Sequence, residues 1–375
     1  MSAIPFKFRN LTGLTLLLTC LFFSSCHVGR YFWWNFADIR DGERFPSLPV
    51  ASGDEMQPLI STTNNMTFPV PEKFNPKSKW KDFDHFLERH HTVAFIVMQD
   101  DTILYENYFN NYDEKDLLPS FSISKVMVSA LTGIAIDDGF ICSTSQPVSF
   151  FLSWLGPGLE LITIEDLLNM RSGIRFSENY WNPFAGIAKY YYGTDLLRYN
   201  RKLKIRQPPD QEYDYVGVNT FLLGQVIEQA TSQKLNTYLE QKIWIPLGME
   251  SDASWSIDHP RNQNIKSFCC INAVARDFAR FGRLYLNKGN WDGNQIISED
   301  WVTASTSIMN DSRDSQGYPY TYHWRVLENG AFFAKGILGQ YLYVYPEKNL
   351  IFVRLGKKYA GIDWAAFFGE VANEL

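Results

Sequence analysis

The stretch Phe121-Ser122-Ile123-Ser124-Lys125-Val126-Met127-Val128, continuing to Phe140, decides how this chain is read. Met127, Val128, Leu131, Ile134 and Ala135 recur at helical spacing, which predicts a buried helix with Ser122 in its first turn. A serine one helical turn ahead of a lysine can become a nucleophile without any histidine. The free backbone N–H groups and the positive end of such a helix favour an anion beside it. The same residues also fit an ordinary N-cap serine and a solvated first-turn lysine, and the motif alone leaves both readings open.

Toward the N-terminus, Trp80, Phe83, Phe86 and Leu87 mark an amphipathic helix. Val93 to Met98 and Ile103 to Tyr108, separated by Gln99-Asp100-Asp101-Thr102, read as a β-hairpin. Toward the C-terminus the pattern is mainly helical to about residue 265. Thr163 with Asp166 forms a capping-box signature, Asn219 is placed to cap a helix through Phe221, Leu222, Val226 and Ile227, and a further helix runs from about Ala273 to Leu286. Strands return after Tyr320: Phe332 to Gly336, Gln340 to Tyr345, a Pro346-Glu347-Lys348-Asn349 turn, and Leu350 to Leu355. A helix from Asp363 through Trp364, Phe367 and Phe368 closes the chain. The expected class is α/β of the α+β kind. An antiparallel sheet flanked by helices is assembled from N- and C-terminal segments (about 78–120 and 287–375), with an all-helical insertion at about 121–286.

The chain has 375 residues, 45% hydrophobic and 20% charged, enough to bury a large core. A net charge of −6 with no sustained basic face argues against a nucleic-acid partner. At the front, Lys7 and Arg9 precede an apolar run from Leu11 to Phe23, broken by Thr12, Gly13, Thr15 and Thr19. That reads as a secretory signal over residues 1–25, too short for a comfortable membrane span. Ser24-Ser25-Cys26 resembles a bacterial lipobox, which implies lipidation at Cys26 and attachment to a membrane of the cell envelope, periplasmic or outer. Phe23 departs from the usual Leu-like residue; an ordinary signal peptide or a short uncleaved anchor are the alternatives, and all three place the protein outside the cytoplasm. Residues 26–77, rich in Pro, Asn and Ser with scattered aromatics, read as a tether or arm over the surface, ahead of one domain at 78–375. Cys142, Cys269 and Cys270 are expected as buried thiols rather than a disulfide framework, and no spacing suggests zinc or any other metal or cofactor.

Ser-x-x-Lys is short enough that chance supplies it, and Ser78-Lys79-Trp80-Lys81 is a second copy in a polar, wet stretch. What distinguishes the copy at Ser122 is its partners. A lysine near its free pKa of about 10.4 is protonated and no base at neutral pH, so it needs burial or a second basic group. Tyr215, in Tyr213-Asp214-Tyr215-Val216-Gly217, can share a proton with such a lysine.

Ser122-x-x-Lys125, Tyr215-x-Gly217 and Gly336-Ile337-Leu338-Gly339-Gln340 occur in the order and approximate spacing of the serine β-lactamase-like family. The resemblance covers about 75–375, through Pro119-Ser120-Phe121-Ser122, Ile162-Thr163-Ile164-Glu165-Asp166-Leu167-Leu168, Ser172-Gly173, Pro246-Leu247-Gly248-Met249 and Ala275-Arg276-Asp277-Phe278-Ala279-Arg280-Phe281-Gly282. It implies a β-lactamase/transpeptidase-like fold with Ser122 as acylated nucleophile and Lys125 and Tyr215 as a coupled general base. It also implies an oxyanion hole from the backbone N–H groups of Ser122 and Ile337, with Gly217, Gly336, Gly339 and Gln340 toward substrate; Trp181 is added as a substrate contact from the aromatic cluster around it.

Two departures sit where substrate is read. The family's Tyr-x-Asn is here Tyr215-Val216-Gly217, and its Lys-Thr-Gly or His-x-Gly is Ala334-Lys335-Gly336. Strand alternation puts Ala334 and Gly336 toward the site and Lys335 away, removing the cation that grips a β-lactam or peptide carboxylate. The expectation is a serine hydrolase of the esterase or 6-aminohexanoate-oligomer-hydrolase branch, acting on a small-molecule ester or amide. A β-lactamase or D-alanyl-D-alanine carboxypeptidase is the first alternative, and a non-catalytic envelope binding protein the second. Tyr180, Trp181, Phe184, Tyr190, Tyr191 and Tyr192 either wall an acyl or alcohol pocket or cover the core. Nothing in the sequence sets the oligomeric state.

Overall fold

The computed structural model describes residues 27–34, 36–54, 56 and 58–375. The signal segment 1–25 and Cys26 lie outside the described residues. No helix among the described residues is long and apolar enough to cross a membrane.

Val93 to Met98 is apolar at every position because its strand is covered on both faces. The strands β1 (Ser47–Val50), β2 (Ile60–Ser61), β3 (Thr92–Gln99), β4 (Thr102–Tyr108), β5 (Leu118–Pro119), β6 (Ala253–Ser256) and β7 (Ile271–Ala273) are followed by a small hairpin of β8 (Asn290–Trp291) and β9 (Asn294–Gln295). Then come β10 (Tyr320–Thr321), β11 (Trp324–Val326), β12 (Phe332–Gly336), β13 (Gln340–Tyr345) and β14 (Leu350–Gly356). The main sheet runs β10-β11-β12-β13-β14-β3-β4-β2 and is antiparallel except where β2 meets β4. As expected, N-terminal β3 pairs with C-terminal β14, with Phe352 opposite Val97 and Val353 opposite Ile96.

The helices that matter for the site are α1 (His27–Trp34), α2 (Phe83–Arg89), α3 (Ser124–Asp137), α4 (Gly186–Tyr192), α5 (Gly217–Thr231), α6 (Ala275–Leu286) and α7 (Trp364–Ala372). Side chains alternate along the strands and feed two cores. Phe95, Val97 and Phe352 pack with Phe86 of α2 and Phe367 and Phe368 of α7. Ala94, Ile96, Ile351 and Val353 face the larger core, with Phe278 and Phe281 of α6 and the residues of α3. Each fully buried side chain of this size contributes about 1.5–3 kcal/mol.

Four expectations are corrected. The middle of the chain is not all-helical: β6 and β7 join β1 and β5 in a second, four-stranded sheet of order β1-β6-β7-β5. Its short strands alternate too briefly to stand out against the flanking helices. The arm is built into the domain: β1 pairs with β6, β2 with β4, and Tyr31, Ile39, Phe45, Val50 and Phe68 are buried. Asn219 is not a cap, since α5 begins at Gly217 behind Val216; its amide oxygen accepts from Ser172 Oγ at 2.7 Å inside the core. The Thr163–Asp166 capping box forms as read, closing both hydrogen bonds. Cys269 and Cys270 are joined to each other in a disulfide and Cys142 is exposed, so the reading of three buried thiols does not hold.

Candidate active site

Ser122 stands in a short 3₁₀ turn, Phe121–Ile123, wedged between β5 and α3. The small sheet holds this turn: Ser120 N–H donates to the Ile271 carbonyl at 2.7 Å and Ser120 Oγ accepts from Ile271 N–H at 3.1 Å. Phe121 has φ of 43°, a left-handed conformation unusual for a bulky residue and maintained by the packing around it. Ser122 is half-buried, whereas Lys125, on the first turn of α3, is 2% exposed. Lys125 Nζ donates to Ser122 Oγ at 2.9 Å and to the Phe268 carbonyl at 2.5 Å. The second bond anchors the amine against the segment that carries the Cys269–Cys270 disulfide.

Tyr215 arrives from the loop before α5. Its ring centroid lies 5.2 Å from Lys125 Nζ and 5.9 Å from the Arg325 guanidinium carbon. Ser122 and Tyr215 line one polar cleft of about 500 Å³ with Tyr180, Ile337 and Tyr359. Lys125 sits behind its wall. Strand β12 closes on the Ser122 turn so tightly that a Cβ on Gly336 would fall 2.7 Å from the Ser120 carbonyl oxygen and 3.1 Å from Ser122 N. Glycine is therefore required by close approach, and it brings the backbone after Gly336, at Ile337, to the same end of the cleft as Ser122.

The remaining residues read as substrate-facing are placed differently. Gln340 is fully buried: its amide donates to the carbonyls of Gly356 and Ile337 and accepts from Gly356 N–H, pinning β13 to the end of β14. Gly339 has φ of 84° and packs on Arg354, whose guanidinium donates to its carbonyl. Both residues support the strand end from behind. Gly217 is buried as the first residue of α5, and its N–H donates to Glu178 Oε2 at 3.0 Å. Gly336 turns toward the Ser122 backbone rather than open space. Trp181, 79% exposed, lines an adjoining apolar cavity.

Lys335 is a further correction. Alternation separates it from Ala334 and Gly336, yet it lines the same cleft as Ser122, because β12 ends there and the cleft reaches around the strand end. Its amine donates to Gln316 and stands 5.6 Å from the Tyr359 ring; burial, then the nearby Arg325 charge, pushes it down to about 8. Arg313 and Arg325 line the cleft too, against Asp214 and Asp314, with Arg325 paired to Asp314 at 2.6 Å. Of these groups the sequence reading weighed only Lys335, and misplaced it. No local pattern marks Arg313, Asp314 or Arg325, which come from β11 and the loop before β10, and Asp214 was read only as the neighbour of Tyr215.

Glu178 was also missed. Its carboxylate accepts from Gly217 N–H at the start of α5 and from Tyr180 OH at 3.0 Å. Burial raises its pKa and the Lys125 charge opposes that shift. A carboxylate at a helix N-terminus meets unpaired N–H groups and the positive end of the helix dipole. The available signal was the glycine itself, which leaves the space beside Tyr215-Val216-Gly217 open for a side chain from elsewhere. Of the clustered aromatics, Tyr180, Trp181, Tyr191 and Tyr192 line the apolar cavity, Tyr190 is core, and Phe184 is 67% exposed.

A half-buried serine held by a buried lysine stands between the start of α3 and the end of β12, and the chain belongs to the Beta-lactamase family, a serine-hydrolase group, whose profile matches residues 81–362. Among relatives, it is 26% identical over 349 residues to the 6-aminohexanoate-dimer hydrolase of Paenarthrobacter ureafaciens, covering 86% of this chain and 84% of that one. A solved structure from Bacillus anthracis, assigned provisionally as a 6-aminohexanoate-dimer hydrolase, superposes with a TM-score of 0.81 at 21% identity, covering 92% of this chain and 94% of that one. A mutant class C β-lactamase superposes at 0.61 with 16% identity, covering 78% and 95%. These last two likenesses concern the fold.

Proposed function

We propose that this serine hydrolase cleaves an ester or unstrained amide through a covalent acyl-enzyme on Ser122. The observation that carries the reading is the 2.9 Å contact between Lys125 Nζ and Ser122 Oγ, one helical turn apart, with the lysine buried and the serine open to the cleft. In the reaction Ser122 Oγ forms a bond to the carbonyl carbon as its proton passes to the Lys125/Tyr215 pair. The carbonyl oxygen becomes an oxyanion that accepts from the N–H groups of Ser122 and Ile337. Donors of this kind supply about 3–4 kcal/mol each. Collapse breaks the bond to the leaving group, which takes the proton from the pair. Water then attacks the acyl carbon, giving its proton to the same pair; collapse breaks the bond to Ser122 Oγ, which takes that proton back from the pair, and the acid is released.

Intact-protein mass spectrometry after mixing with p-nitrophenyl acetate tests this. The expected result is an acetyl adduct mapped to Ser122, and a loss of at least about a thousandfold in esterase activity for Ser122→Ala. Wild-type turnover by that variant rejects the assignment.

The cations Lys335, Arg313 and Arg325 in the cleft favour a second reading, in which the substrate carries an anionic group, as a β-lactam or cell-wall peptide does. Stable labelling by a fluorescent penicillin, lost in Ser122→Ala, distinguishes it. We further propose that the protein is exported and lipidated at Cys26; metabolic labelling with a palmitate analogue that survives in Cys26→Ser contradicts this.

A further inference from the structure

Beside the polar cleft lies a second cavity of about 290 Å³ whose character is the opposite. The two share Tyr180, Ile337 and Tyr359, so they adjoin along these residues, one charged and the other apolar. The far wall of the apolar part comes from the start of the described chain, through Tyr31, Phe36 and Ala37. Tyr31 OH donates to the Tyr180 carbonyl at 2.8 Å, and the Phe36 ring meets Trp181 edge-on at 4.6 Å. Arg30 Nε donates to the Tyr192 carbonyl at 2.6 Å. Three phenols of the lining have hydroxyls engaged with protein: Tyr31 with that carbonyl, Tyr180 with Glu178, and Tyr191 with Asp41 at 2.6 Å. What remains toward the cavity is ring face and aliphatic surface, which offers an apolar group much and a charged one nothing.

We infer that this cavity holds the acyl chain of the substrate. The inference rests on the acyl-enzyme reading above and adds which half of the substrate is apolar. The leaving group must receive its proton from the Lys125/Tyr215 pair, and Tyr215 lines the polar cleft, not the apolar cavity. The leaving group therefore occupies the charged side. With the carbonyl oxygen at the Ile337 N–H, the chain on the other side of the carbonyl carbon enters the space lined by Ile337 and Leu338. At ~30 Å³ per group, the liquid-water share, the cavity has room for roughly ten carbon-sized groups. The substrate class is thus an ester or amide of a medium-chain or aryl carboxylic acid with a polar leaving group.

A series of p-nitrophenyl esters from acetyl to dodecanoyl tests this, because the leaving group stays constant while the acyl chain grows. On the wild-type protein, kcat/KM is expected to rise about threefold or more per methylene to around eight carbons and then level off. In Ala37→Trp, and in Ala188→Phe on α4, the octanoyl-to-acetyl ratio of kcat/KM falls at least tenfold. Because either variant can fail to fold, product inhibition supplies a wild-type measurement: octanoate inhibits acetyl-ester hydrolysis at a concentration at least tenfold below that of butyrate. A flat chain-length profile, equal inhibition by the two acids, or an unchanged ratio in a folded variant overturns the inference. These outcomes are separable from failure of the hydrolase reading, since a flat profile with Ser122 acetylated in the mass spectrum removes only the acyl pocket, whereas absence of the adduct removes both.

Discussion

This chain contains the same four-residue pattern twice, and the two copies sit in opposite surroundings. At Ser78-Lys79-Trp80-Lys81 the serine is exposed with φ of 50°, Lys79 lies over the Trp80 ring at 4.3 Å, and the Lys81 side chain is 85% exposed, 3.8 Å from Asp82. At Ser122 the lysine is buried on the first turn of a long helix, touches the serine, and is covered by Phe268 and the Tyr215 ring. Water surrounds the first pair, and its two side chains do not touch each other. In the second pair the lysine is shielded from solvent while the serine stays open to the cleft, so protein neighbours surround the amine.

The comparison is broken most sharply by removing the enclosed lysine. Lys125→Met is expected to lower kcat/KM for ester hydrolysis by about a thousandfold, close to the loss in Ser122→Ala, with a Ser122 adduct absent from the mass spectrum at equal times. A loss under tenfold assigns the base elsewhere. Next is the close approach that shapes the oxyanion end. Gly336→Ala forces a Cβ against the Ser120 carbonyl and shifts the strand end, so kcat/KM falls by about a hundredfold while far-ultraviolet circular dichroism stays native. Retained activity in that variant rejects the strand end as an oxyanion donor.

A smaller effect concerns Lys335. Its pKa, lowered to about 8, means that its charge is present below that pH and lost above it. For an ester with an anionic leaving group, KM is expected to rise about three- to tenfold between pH 7 and pH 9, while a neutral ester shows no such rise. Lys335→Ala removes the difference between the two substrates; identical profiles for both in the wild type contradict a role in binding. At the bottom of the scale, Ser78→Ala combined with Lys81→Ala should leave turnover within about twofold, and a larger loss removes the distinction between the two copies.

The elements most legible in the sequence were those whose burial follows a simple period. The hairpin of β3 and β4, the pair β13 and β14, and the helices starting at Ser124, Ala275 and Trp364 all lie where alternation or helical spacing put them, within a few residues. The second sheet escaped because β5 and β7 are two and three residues long and draw their partners from segments more than 100 residues apart. The arm escaped for a related reason: its composition is that of a loop, but isolated aromatics such as Tyr31 and Phe45 reach buried positions that only the folded domain creates.

At the site, the residue types of Ser122, Lys125 and Tyr215 and their order along the chain were readable by themselves, because helical spacing and the chemistry of a lysine-assisted serine are local properties. Which strand residues face substrate was not. Gln340 and Gly339 look like parts of the site and serve as its scaffold, while Lys335, assigned to the far side, lines the cleft. Alternation predicts a face within a strand but not where the strand stops, and at the last residue of β12 the cleft passes around the end. Glu178 against Gly217, and the apolar cavity closed by Tyr31 and Phe36, join segments about 40 and 150 residues apart. Such contacts depend on how whole elements pack, so tertiary structure alone decided them, as it decided the charged and apolar halves of the space around Ser122.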